Sequence, residues 1–123
     1  MSEADRNGFV SAFRERKNDE NKAKKSLVGF AVLGGIFSEG IDLVGERLIG
    51  SVIVGVGLGN PTTESNLLAE YYQKKCEKGF EYAYACPGMG RVMQAAGRVI
   101  RTDTDKGIVI LIDDRYTTQP YVN

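Results

Sequence analysis

An α/β fold on a mainly parallel sheet is predicted by three apolar runs and two helix-forming stretches that lie between the last two of them. The runs are 27–33, 51–56 and 107–112, and each is continuously apolar rather than alternating. Strands covered on both faces carry that pattern, whereas a half-exposed antiparallel strand alternates polar and apolar residues. Strands alternating with helices imply crossover connections and a parallel sheet with helices on both faces. Three strands make a thin sheet, since a doubly wound domain usually has about five or six. The expectation is a single domain, residues 1–123, that is incomplete because the chain is a fragment with further strands upstream.

The elements follow in chain order. Residues 2–16 read as a short helix: Ser2 and Asp5 have capping-box spacing, and Phe9, Val10 and Phe13 share a face, although Gly8 weakens it. Residues 17–26 have no apolar periodicity and read as an exposed loop. After Pro61, residues 63–77 carry Leu67, Leu68, Tyr71 and Tyr72 at helical spacing, and a second helix is expected at about 89–101. Residues 117–123 read as a tail resembling a cut linker.

Composition removes several chemistries. The 123 residues hold equal numbers of basic and acidic side chains, 16 of each, so any phosphate-binding surface must be local rather than global. The chain contains no histidine, which removes histidine-dependent triads and the commonest zinc sites. Cys76 and Cys86 are the only cysteines; they lack CxxC spacing and read as structural or incidental thiols, and no metal site is expected. No apolar run is long enough to span a bilayer and the N-terminus lacks a signal-peptide core, so the expected location is cytoplasmic and no membrane partner is expected.

The segment Gln94-Ala-Ala-Gly-Arg-Val-Ile-Arg101 holds the most chemistry. At about 100° per residue, a helix would place Gln94, Gly97, Arg98 and Arg101 on one narrow stripe. Met89, Val92, Met93, Ala96, Val99 and Ile100 would then face a core. Guanidinium suits phosphate because its planar fork donates two parallel hydrogen bonds. A solvated basic face would give the same pattern. Gly97 tells against that, since glycine inside a helix costs about 1 kcal/mol relative to alanine and calls for a reason such as close approach of a ligand.

The stretch Gly34-Gly-Ile-Phe-Ser-Glu-Gly-Ile-Asp42 follows the first expected strand, at the sheet edge where open α/β folds place ligands. Its paired glycines permit a tight turn and close approach of backbone N–H groups to an anion, and Glu39 and Asp42 add carboxylates around Gly40. A turn that packs Ile36, Phe37 and Ile41 explains the same residues. Gly55-Val-Gly-Leu-Gly59 lacks the G-x-G-x-x-G spacing of a dinucleotide fingerprint and reads as a strand end with a flexible turn. Tyr71, Tyr72, Phe80, Tyr82 and Tyr84 fit buried aromatics at a helix–sheet interface better than a base-stacking platform.

Taken together, Gly-Ile-Phe-Ser-Glu-Gly-Ile-Asp, then Gln-x-x-Gly-Arg-x-x-Arg, then an apolar strand ending in Asp113-Asp-Arg115 resembles the DinG/XPD-like (Rad3-related) superfamily 2 DNA helicases. The resemblance covers residues 27 to about 116 and matches the second, C-terminal RecA-like motor domain. Gly34 to Asp42 corresponds to motif V, and Gln94 to Arg101 to motif VI. It implies a three-layer RecA-like sandwich, with Arg98 and Arg101 reaching the γ-phosphate of ATP as catalytic arginines. It further implies nucleotide contacts from Gln94, Gly97, Glu39, Gly40 and Asp42, and contacts to single-stranded DNA from Gly35 and Ser38. No P-loop and no acidic Walker B box occurs in these residues, so the ligands for Mg2+ and the main phosphate cradle would belong to an N-terminal RecA-like domain of the same parent polypeptide. An iron–sulfur cluster, where the family carries one, belongs to that other domain. The chain alone is therefore expected to be inactive, and its oligomeric state is left open. A stand-alone nucleotide- or nucleic-acid-binding module without catalysis is the alternative.

Overall fold

The computed structural model describes residues 3–14, 26–35, 48–100 and 102–121. Among them lie helix α1 (Glu3–Arg14), strand β1 (Gly50–Val54), helix α2 (Thr63–Cys76), a π-helical turn (Glu81–Ala85) running into helix α3 (Cys86–Ala96), strand β2 (Ile108–Ile112) and a 3-10 turn (Asp114–Thr117). The strands pair in parallel, Gly50 opposite Ile108 through Val54 opposite Ile112. A β-α-α-β crossover around a parallel pair is the α/β arrangement expected, here with two strands rather than three among the described residues.

The missing strand is the first. Residues 27–32 carry no secondary structure, and Val28, Phe30 and Val32 are 73%, 92% and 79% exposed. An apolar run becomes a strand only where a neighbouring strand accepts and donates its backbone hydrogen bonds, and the β1–β2 ladder does not extend to this segment. It instead passes α1, where Phe9 and Phe13 pack ring to ring at 5.3 Å and leave Gly29 no room for a side chain. The segment ends in a turn closed by Gly35 N–H donating to Val32 O, with Gly34 at φ 78°.

Helix α2 matches the expected span to within a residue. Thr62 caps it: the Ser65 N–H donates to Thr62 Oγ1 at 3.1 Å while the Thr62 N–H donates to Ser65 Oγ at 2.8 Å. Glu77, in the left-handed region at φ 59°, ends it.

The chain then enters a π turn whose cause is visible in the sequence. Pro87 has no N–H to give to the carbonyl four residues back, and its ring crowds that carbonyl in a regular α-helix. One wide turn relieves the clash, and Cys86 N–H donates to Glu81 O, five residues back.

Helix α3 begins three residues earlier than expected and ends five residues sooner, at Ala96. From Arg98 onward the hydrogen bonds tighten to three-residue spacing, Arg98 N–H to Ala95 O and Val99 N–H to Ala96 O. The helix stops because Gly97 favours it least and because Val99 must turn inward to pack against Gly107 at the entrance to β2. Val92 and Val99 are buried as expected. Met93 and Ile100 are not, at 66% and 49% exposed: Met93 lies on the solvent side of α3 itself, and the turn takes Ile100 off the core face.

Among the described residues the core consists of Ile53, Val56, Ala83, Ala85, Val92 and Val99. Helix α3 lies against β1. On the other face of the sheet the in-register residues Val52, Val54, Ile108, Ile110 and Ile112 are exposed. Cover on both faces was expected; among the described residues only one face has it. The aromatic residues also depart from expectation. They pack against one another between α2 and the π turn, with Tyr72 stacked on Tyr82 at 4.5 Å and Phe80 on Tyr84 at 5.8 Å. Tyr71, Phe80 and Tyr82 stay about half exposed rather than lining a helix–sheet interface.

Candidate functional site

The carboxyl end of β1 opens into the loop Gly55–Gly59, and this loop is the floor of the site. Gly55 and Gly57 have φ of 90° and 68°, a region that residues with a Cβ rarely enter. The loop meets α3 backbone to backbone. A Cβ on Gly88 would lie 2.7 Å from Val56 O, and one on Gly57 would strike Gly88 O. Only glycine at both places lets helix and loop approach this closely.

Three anchors hold the loop. Arg91 reaches from α3 and donates from Nη1 to Gly57 O at 3.0 Å. Tyr116, beyond β2, donates its hydroxyl to Gly55 O at 2.7 Å. The Gly55 N–H continues the ladder to Ile112 O at 3.0 Å. Burial raises the Tyr116 pKa, in keeping with a phenol that donates here. Beside it, Asp113 accepts two hydrogen bonds from the Arg115 guanidinium, at 2.8 and 2.7 Å. That bidentate pair holds the Asp113 carboxyl well below the usual carboxylate range.

Between these parts lies a cleft of about 490 Å³, bordered by Leu33, Gly34, the β1 loop, Arg91 and Arg115. It joins the start of the first glycine-rich stretch to the carboxyl ends of both strands, where an open α/β sheet binds ligands.

The residues singled out in the sequence are placed as follows. Gly35 closes the turn next to the cleft. Gln94 is exposed on the last turn of α3, Gly97 caps the helix at φ −65°, and Arg98 is half-buried in the turn beyond. Gln94, Gly97 and Arg98 do not share a single helical stripe, because the helix ends before Gly97. Arg101, Ser38, Glu39, Gly40 and Asp42 lie outside the described residues. Gly97 therefore ends a helix rather than interrupting one, and its helix-interior cost does not arise.

Sequence reasoning missed Arg91 and Tyr116. Arg91 stands three residues before Gln94, but nothing local distinguishes it from a solvated helical arginine. The described residues contain no group of three or more His, Cys, Asp or Glu side chains able to hold a metal ion, and both cysteines are free and exposed thiols. No helix among them is long and apolar enough to cross a membrane.

Comparison with known proteins matches residues 1–123 to the helicase C-terminal domain family. The chain is 36% identical over 101 residues to the ATP-dependent DNA helicase chl-1 of Caenorhabditis elegans, covering 80% of this chain and 12% of that protein. It is 31% identical over 108 residues to the ATP-dependent DNA helicase DinG of Photobacterium profundum, covering 87% and 15% respectively. With the ATP-dependent DNA helicase CHL1 of Scheffersomyces stipitis it shares 30% identity over 119 residues, covering 86% and 14%. The chain thus matches only 12 to 15% of the length of these relatives.

Proposed function

The chain belongs to the helicase C-terminal domain family, in its DinG and Rad3-related branch, and from that premise we propose that it closes the ATP site of a two-domain DNA motor. In this reading Arg98 and Arg101 meet the γ-phosphate as it transfers to water, where fixed positive charge stabilises the negative charge developing on its oxygens. Gln94 and Gly97 line the same interface, together with Glu39, Gly40 and Asp42. Gly35 and Ser38 contact the backbone of single-stranded DNA. An N-terminal RecA-like domain of the same polypeptide supplies the P-loop and holds the Mg2+, which neutralises phosphate charge when bound, and its strands complete a three-layer sandwich. The domain alone does not hydrolyse ATP, because half of a composite site gives the arginines nothing to act upon.

The observation that carries the reading is the position of Arg98 at the end of α3. It sits half-buried in a turn closed by its own N–H to Ala95 O at 3.2 Å, directly before the buried Val99. A backbone fixed in this way leaves only side-chain freedom to lose on meeting a phosphate, which favours a charge-stabilising arginine at this place.

The test is Arg98→Ala in a polypeptide joining this domain to its P-loop partner. An arginine finger is worth about a thousandfold or more in kcat. A loss below about tenfold would remove Arg98 from the chemical step. Micromolar binding of ATP or single-stranded DNA by the isolated 123-residue chain would favour a free-standing binding module instead.

A further inference from the structure

We propose that Arg91 is a positioning residue that locks the first glycine-rich turn and the β1 loop to the helix that carries Gln94 and leads into Arg98. The inference rests on the reading of Arg98 given above, and it concerns a residue outside both helicase motifs. One side chain borders three of the glycines, crowding the Cβ positions of two of them. A Cβ on Gly34 would lie 3.1 Å from Arg91 Cδ and 3.4 Å from Nε, and one on Gly59 would lie 3.3 Å from Nη1 and 3.5 Å from Nη2. Between them Nη1 donates to the Gly57 carbonyl at 3.0 Å. The guanidinium is thus a flat spacer seated among backbone that has no side chains of its own to hold it.

The geometry gives this spacer mechanical leverage. Gly34 begins the stretch that continues to Glu39, Gly40 and Asp42. Arg91 lies on α3 six residues before Gly97, about 9 Å along the axis at 1.5 Å per residue. A displacement of the turn at Gly34 therefore reaches α3 through Arg91, and α3 ends two residues before the proposed catalytic arginine. Lysine could keep a single donor to Gly57 O, but its point charge on a flexible stem lacks the planar fork that fills the space over Gly34 and Gly59.

Two measurements on Arg91→Ala and Arg91→Lys test the inference. In the 123-residue chain, hydrogen exchange at amides 34–35 and 55–59 should quicken by about tenfold in both variants, while the interior amides of α2 keep their protection. In the polypeptide carrying the P-loop domain, DNA-stimulated kcat should fall by about tenfold or more with KM for ATP within about twofold, as expected for a misplaced but intact group. Arg91→Lys retains most of the stem packing, so it remains informative if the alanine variant unfolds. Wild-type exchange in the lysine variant overturns the proposal. So does faster exchange with unchanged kcat, or a rise in KM alone. Arg98→Ala measured alongside separates the two ideas: if it is inert the proposed function fails, whereas if it is inactive and Arg91→Lys is normal, only the positioning role fails.

Discussion

Replacing Gly88 with alanine sets two opposing effects against each other at one atom. Gly88 is the third residue of α3, where alanine gains about 0.5–1 kcal/mol of helix propensity over glycine. Against that, the new Cβ would lie 2.7 Å from Val56 O and 3.2 Å from Gly57 C and O, all backbone atoms that cannot rotate away. Ordinary contact begins near 3.4 Å, so α3 must retreat by about 0.7 Å from the β1 loop. Overpacking of this kind costs about 1–3 kcal/mol, and the same retreat loosens Val92 from the core. The net expectation is a loss of about 1–2 kcal/mol. Gly90, two residues on in the same helix, has nothing within 4 Å of its Cβ position. Gly90→Ala should therefore stabilise by about 0.5–1 kcal/mol. Urea denaturation of the two variants beside the parent chain decides the matter. A separation of about 1 M or more between their midpoints is expected at a usual m-value. Coincident midpoints, or a more stable Gly88→Ala, would show that the helix–loop seam has room it should lack.

Two further expectations concern single groups. Ser51 Oγ is buried with no hydrogen-bond partner among the described residues, so Ser51→Ala should hold or raise stability by up to about 1 kcal/mol, and a clear drop in the urea midpoint would reveal a partner for it. The Asp113 carboxyl is held below its ordinary value of 3.8 by Arg115, so its contribution is present above about pH 4 and is lost as the pH falls through the folded-state value. The stability difference between the parent and Asp113→Asn should accordingly be largest near neutrality and narrow on acidification below about pH 4. A pH-independent difference would mean that the pair does not act through charge.

Regular elements were legible where their cause is local. The span of α2 follows from Pro61 and the helical spacing of its apolar residues, with the Thr62 cap seen only in the structure, and both strands of the sheet follow from short branched-aliphatic runs. The run 27–33 has the same composition, yet it is no strand here, because ladder pairing depends on what lies alongside and not on the run itself. Helix α3 was misjudged at both ends. Its start is masked by a proline that the preceding π turn accommodates, and the apolar spacing of Val92, Ala96 and Val99 continues smoothly through a turn with different hydrogen bonds. At the site, the positive-φ glycines read correctly as a turn. Arg91 did not, since its partner carbonyl is 34 residues away in the chain and nothing near Arg91 announces it.

The wide turn at Glu81–Ala85 also fixes a phase. It inserts one residue into a helix that otherwise continues from the aromatic stack to Ala96, and so rotates everything after it by about 100° relative to everything before. The first half thereby addresses α2 while the second addresses β1. Deleting one residue there would remove the wide turn, set Pro87 against the carbonyl four residues back and turn one half away from its partner. With α2 held in place, the deletion would swing Arg91 off Gly57, and with β1 held in place it would unstack Tyr82 from Tyr72. The proline at position 87 thus acts as an angular setting between the two surfaces, one that any change in the length of this segment would undo.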